Sequence, residues 1–389
     1  MPKDDVLTLK LPGDNLVFTR YLYIKDEVKT SLLISILNKS DDAIFWAYEL
    51  YYSGYKNEHY AFIWQIYYDF FATLNPSFAA YLAKKLNSNE EDRLISSIIQ
   101  NLLIRPFNTD VFLLRSISEL FESDEDEDAE SIERMIELKD YRELAKHILN
   151  NKETKLEDIF QRVLNYFQLT NNKDFLKENV NLNLKKEVIL LANVLSIITF
   201  GKEQNLIKKK NFYVRVDPEE VVQYETIEAT DNLKPYRILA QACTRKIGGT
   251  HSFLNLFQSF RNQKTESGLK DKYNEWTERA VSEKYNSLNN WLYHAAFSPV
   301  WFNRIKGCKG YVDYVKQEVK FVSESWEDEF HSKYNLEPDE QPLFVKENVL
   351  NLTKENTTWQ QFFAKYKRNG LIDAYEEELD ALNDEPLKY

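Results

Sequence analysis

The chain has 389 residues with 50 Lys and Arg against 62 Asp and Glu, a formal net charge of -12. That balance opposes free binding to a polyanion and leaves room only for a local basic face. Its length suffices for two or three domains or one array of repeats, whereas its two cysteines, Cys243 and Cys308, exclude a disulfide framework beyond one bridge and any zinc site built of cysteine alone.

Gly and Pro are sparse, at 9 and 10, while Leu, Tyr, Phe, Ile, Asn, Lys and Glu abound. This suits long helices better than sandwiches or glycine-rich sheets. The opening stretch MPKDDVLTLKLPGDN holds no apolar core of signal-peptide length, and Asp4, Asp5 and Asp14 do not fit a transit peptide. The best apolar run, 188–200, is shorter than the roughly 18 residues of a membrane span. A soluble protein in a reducing, cytoplasmic compartment is expected, with no membrane partner.

Asp26 caps a predicted helix over 26–37, with Val28, Leu32, Leu33 and Ile36 on one stripe. Ser40 and Asp41 offer a second start and Gly54 a stop. Further helices are predicted over 57–74, 76–86, 90–104 and 109–121, with Asn75-Pro76 as punctuation. Consecutive helices joined by short polar turns predict an all-α fold of stacked helical hairpins, a HEAT-like solenoid.

The stretch 43–71, AIFWAYELYYSGYKNEHYAFIWQIYYDFF, is dense in aromatics. Trp46 and Leu50 mark one face of its first helix and Tyr48 and Tyr51 another. Trp64, Tyr68 and Phe71 oppose Ile63, Ile66, Tyr67 and Phe70 in the next. Helices apolar on two faces are buried between neighbours. A stacking platform is the other use of the same residue types.

The block ESDEDEDAE at 122–130 reads as an acidic linker. It separates a helical-repeat lobe at 1–121 from a helical segment at 131–201 that ends in the apolar run stopped by Gly201. Alternation over 212–216 predicts an irregular or β-containing insert near 211–232, within 202–249. A helical lobe at 250–389 completes the chain.

No Walker loop, GxGxxG, HExxH or GxSxG occurs. His59, His147, His251, His294 and His331 lack ligand spacing. No catalytic residue, metal or cofactor is therefore assigned, and the chain is read as non-enzymatic. Lys208, Lys209, Lys210 and Arg215 flank Phe212 and Tyr213, and Arg245 and Lys246 follow in CTRKIGGT. Cations beside stackable rings are what single-stranded RNA or DNA contact needs, and a solvated turn would use the same residues. Trp276, Trp291, Trp301, Trp326 and Trp359 would serve either an aromatic cage or the core.

Near the C-terminus, TWQQFFAKYKRNGLIDAYEEELDAL is helix-like and contains YKRNGLI. Tyr366, Leu371 and Ile372 in this pattern resemble the Tyr-x4-Leu-apolar peptide by which translation-initiation scaffolds dock on the cap-binding factor as a helix in a groove. Gly370 disfavours an unbroken helix there by about 1 kcal/mol. The segments DEVKTSLLISILNKSDDAIFWAYELYYSGY at 26–55 and WLYHAAFSPVWFNRI at 291–305 resemble an uncharacterised protein family of large eukaryotic DNA viruses, mimivirus-like in their A/T-leaning composition. The first segment also resembles helical domains of initiation scaffolds.

These resemblances imply a scaffold of viral gene expression in the host cytoplasm or viral factory. It would bridge a cap-binding protein, through Tyr366, Leu371 and Ile372, and an RNA helicase. An RNA- or DNA-binding accessory protein using Lys208, Lys209, Lys210, Arg215, Arg245 and Lys246 is the alternative, and a virion structural component a third.

Overall fold

In the computed structural model of the chain, the described residues are 19–20, 25–86, 91–118, 131–151, 155–169, 184–201, 213–217, 219–220, 291–334 and 358–384. They are mostly helical, with one small antiparallel sheet. The chain forms two compact units, one of Met1–Ser31, Tyr48–Lys56 and Tyr224–Asn356, the other of Leu32–Ala47, Asn57–Gln223 and Thr357–Tyr389.

Helices α1 (Lys25–Leu37) and α2 (Asp42–Tyr52) contribute residues to both units. Helix α3 (Lys56–Ile66), from Asn57 on, then opens the long run Asn57–Gln223 of the second unit. The single helix predicted over 57–74 is instead α3 followed by a π-helical turn, Tyr67–Phe71, closed by the Ala72 N–H donating to the Tyr67 carbonyl at 2.7 Å. A π turn inserts one extra residue per turn and so re-aims the side chains beyond it. It buries Asp69, whose carboxylate accepts from Arg115 Nε at 3.1 Å and Nη2 at 2.9 Å. Tyr67, Tyr68, Phe70 and Phe71 are all buried, as the two-faced apolar pattern requires.

Helices α4 (Phe78–Leu86), α5 (Glu91–Leu103), α6 (Asp110–Ser118), α7 (Ile132–Leu138), α8 (Tyr141–Leu149), α9 (Leu156–Tyr166) and α10 (Lys186–Phe200) continue this unit. Ser131 and Asp140 cap α7 and α8 through their side chains, and Lys139 between them takes the left-handed conformation that lets the chain reverse. The neighbouring pairs α4/α5 and α7/α8 pack side by side, while α6 touches the π turn, α8 and α10. Every residue of α6 is buried, and its one cation, Arg115, is neutralised by Asp69.

The acidic block 122–130 lies outside the described residues, and α6 before it and α7 to α10 after it belong to the same unit. The predicted boundary there does not coincide with the division between the units.

The first unit includes α11 (Trp291–Ala295), α12 (Pro299–Gly307), β1 (Gly310–Asp313), β2 (Glu318–Phe321) and α13 (Glu324–Tyr334). Ser298 caps α12 ahead of Pro299. Strands β1 and β2 pair antiparallel, with Val312 opposite Val319 and Gly310 opposite Phe321. Val312, Val319 and Phe321 pack on Ala295, Trp301, Ile305 and Phe330. A Cβ at Gly310 would meet the Ile305 side chain at 2.6 Å, so only glycine lets β1 lie this close to α12. Arg20 and Glu49 form a buried pair at 2.9 Å in this unit.

Among the described residues the sheet falls at 310–321. Of the insert predicted near 211–232, 213–217 belong to no helix or strand, 219–220 are helical, and 211–212, 218 and 221–232 lie outside the described residues. The second unit closes with α14 (Trp359–Tyr366), started by a Thr358/Gln361 capping box, and α15 (Glu376–Asp384). These two pack together and α15 also touches α6. Phe112 of α6 meets the rings of Trp359, Phe362 and Phe363.

Candidate functional site

The described part of the predicted basic stretch is docked on α4 and α5. Asn101 is fully buried on α5, and its amide closes two hydrogen bonds on the backbone of Val214, donating to its carbonyl and accepting from its N–H, both at 2.9 Å. Backbone groups usually find such partners on other backbone; here one side chain supplies both. The same Nδ2 reaches the Ser97 carbonyl at 2.7 Å and the Tyr81 hydroxyl at 3.3 Å.

This clamp lays Tyr213 on Tyr81, with ring centroids 4.5 Å apart and planes 23° from parallel. Phe78 stacks on Tyr81 in turn at 5.1 Å. Arg105, one turn beyond Asn101, is buried with its guanidinium 4.1 Å from the Phe78 centroid and 4.9 Å from that of Tyr213. Its Nη1 also donates to the Asn101 carbonyl and Oδ1. Burial pushes the Tyr81 hydroxyl up against the opposing pull of Arg105, and burial pushes the Arg105 guanidinium down against the interaction with Tyr213.

Tyr213 stays 42 % exposed, and Arg215 beside it is exposed. Lys85 Nζ lies 5.9 Å from the Tyr81 centroid, and Lys84 is exposed one residue before it. Asp217, Glu219 and Glu220 are exposed immediately after the clamp and set a negative border. The result is a cluster of three near-parallel rings, Phe78 lying 6.3 Å from Tyr213 as well, with a cation against it and one partly exposed member. The exposed part of Tyr213 can stack a planar base, and Arg215 beside it can neutralise a phosphate. Lys208, Lys209, Lys210, Arg245 and Arg245's neighbour Lys246 lie outside the described residues.

The second predicted surface has a different geometry. Helix α14 stops at Tyr366, and 367–375 run as irregular chain with Asn369 left-handed, so YKRNGLI is a turn after a helix and not a helix. Tyr366 is buried, donating its hydroxyl to Asn38 Oδ1 at 3.0 Å and packing on Phe362. Ile372 is buried as well, and Leu371 is 39 % exposed. Two of the three predicted partner anchors are therefore core side chains, because the turn inverts the spacing a helix would have given them.

The tryptophans form no common cage among the described residues. Trp301 donates its indole N–H to the Thr19 carbonyl at 3.2 Å and Trp359 to the Leu382 carbonyl at 3.1 Å, both buried. Trp326 packs on the first unit's core, and Trp276 lies outside the described residues. Cys308 is buried, which pushes its thiol up. No group of three or more metal-ligating side chains gathers among the described residues, and no helix there is long and apolar enough to cross a membrane.

Tyr81, Asn101 and Arg105 were not singled out by sequence reasoning. The signal was a polar side chain at 101 amid Leu94, Ile95, Ile98, Ile99 and Leu102, where a solvated stripe has no place. No protein-family model matches the chain, and no curated protein or solved structure matches it significantly.

Proposed function

We propose that the chain is a non-enzymatic interaction protein of viral gene expression that binds single-stranded nucleic acid at the Tyr81–Tyr213 platform. One observation carries this reading: Tyr213 is held in a ring stack by a dedicated buried clamp, yet its outer part and Arg215 remain accessible. Stacking on aromatic side chains contributes about 1–3 kcal/mol per base and tolerates any sequence. With a net charge of -12 the attraction is local to this site, and stacked hairpins of HEAT-like kind would be its natural support.

The test is fluorescence anisotropy with a short labelled oligouridine strand. The wild-type chain should bind, and Tyr213→Ala should weaken binding about tenfold with the melting temperature nearly unchanged. Equal affinity of wild type and Tyr213→Ala would remove the platform from consideration.

A second reading is the initiation-like scaffold joining a cap-binding protein to an RNA helicase. It is favoured by the exposure of Leu371, an apolar side chain on the turn that carries the docking-like pattern. Burial of Tyr366 and Ile372 places it second, since a partner would first have to open that turn.

A further inference from the structure

The irregular segment that follows α14 is pinned to the second unit at three points. Tyr366 holds its start through Asn38. Arg142 of α8 holds its end, donating to the Asp373 carbonyl and to both carboxylate oxygens of Glu378. Between them stands Asp110, the first residue of α6, only 1 % exposed. Its Oδ2 accepts from the Leu371 N–H at 2.9 Å and from Asn108 Nδ2 at 3.0 Å.

Asp110 Oδ1 has no hydrogen-bond partner among the described residues, although the Ile372 N–H also interacts with the carboxylate. Gly370 presses against that oxygen: a Cβ there would lie 2.6 Å from it. The groups facing the carboxylate are few. Lys367 of the segment attracts it, while itself paired with Asp373, and Tyr141 of α8 feels its charge. No Lys or Arg hydrogen-bonds to Asp110 among the described residues, in contrast to Asp69 and Glu378, which each have an arginine fork.

We infer that Asp110 is a proton-controlled latch for residues 367–373, closed most firmly when its carboxyl is neutral and loosened when it ionises. A buried carboxylate without a bonded cation is a costly group, and opening the segment returns it to water. Oδ1 can take the proton while Oδ2 keeps both of its donors. The N–H groups, Lys367 and the α6 N-terminus favour the charged form, but burial outweighs them and raises the group to about 6.

The sign follows from linkage. Closed Asp110 binds its proton more tightly than open Asp110, whose ordinary value is 3.8, so the closed form gains from protonation as pH falls through about 6 and that gain is lost as pH rises again. Opening would uncover Tyr366 and Ile372 beside the already exposed Leu371, so the latch decides whether that apolar triplet is presented.

Amide hydrogen exchange tests this on the full chain. Protection of the Leu371 amide, taken relative to Phe362 and Phe363 of α14 to remove global opening, should fall at least about tenfold from mildly acidic to slightly alkaline pH. Asp110→Asn, which keeps shape and acceptor but cannot ionise, should hold the high protection throughout. Constant protection in the wild type, or the same pH dependence in Asp110→Asn, would overturn the latch. Should that variant not fold, the wild-type chain suffices: the Asp110 carboxyl carbon and the Leu371 amide must titrate with one shared midpoint in NMR spectra, and separate midpoints would equally overturn it.

Discussion

Asn101 holds Val214 by both of its backbone groups, and that pair of 2.9 Å hydrogen bonds links residues 113 apart in sequence. Without it, Tyr213 has no fixed register on Tyr81. Replacing Asn101 by Ala removes a buried amide and leaves the Arg105 guanidinium without the Oδ1 it contacts. The expected cost is on the order of 1–3 kcal/mol in stability. Oligonucleotide affinity should fall as far as in Tyr213→Ala, because the ring is lost from the platform in both. Thermal melting beside anisotropy checks this, and a variant that binds like the wild type would show that the clamp has no part in binding.

His59 is fully buried, neither ring nitrogen finds a partner among the described residues, and burial lowers its value from 6.5 to about 3. The unfolded chain takes up this proton below about 6.5 while the folded chain does not, so His59 costs stability as pH falls from 6.5 toward 3. Asp110 acts in the opposite sense between about 6 and 3.8. The two offset each other in the wild type. His59→Leu, close in volume and free of unpaired polar atoms, should lose only the His59 slope, about 1.4 kcal/mol per pH unit. Urea midpoints between pH 4.5 and 6.5 should then rise on acidification relative to wild type, by roughly the amount linkage sets; parallel curves would contradict the assignment.

Tyr366 and Leu371 should separate cleanly. Tyr366→Ala opens a cavity beside Phe362, for an expected loss of about 3–5 kcal/mol. Leu371→Ala, at a half-exposed position, should cost less than about 1 kcal/mol. Chemical denaturation of the two variants checks the contrast, and equal losses would mean that Leu371 is also core.

Much of the helical content was legible, and the reasons the rest was not are local. Periodicity found α1, α2, α5, α6 and α10 because apolar stripes are encoded within each helix. The π turn at Tyr67–Phe71 escaped because the apolar pattern runs through it unbroken, and the Arg115 that pairs with its Asp69 lies 46 residues away. A strand was sought at 212–216; Val214 there bonds to the Asn101 side chain, and the pair found among the described residues is the hairpin at 310–321. Arg215 and its neighbour Tyr213 were visible as a motif. Tyr81 and Arg105 became part of it only once α4, α5 and residues 213–217 had been brought together.

The most direct measurement is photo-crosslinking of a bromouridine-substituted single strand to the full chain, followed by mass-spectrometric mapping of the modified residue. The account predicts adducts on Tyr213 or Tyr81, suppressed by excess unlabelled strand and by Asn101→Ala. Adducts confined to other parts of the chain, or none under conditions where the strand binds, would contradict it.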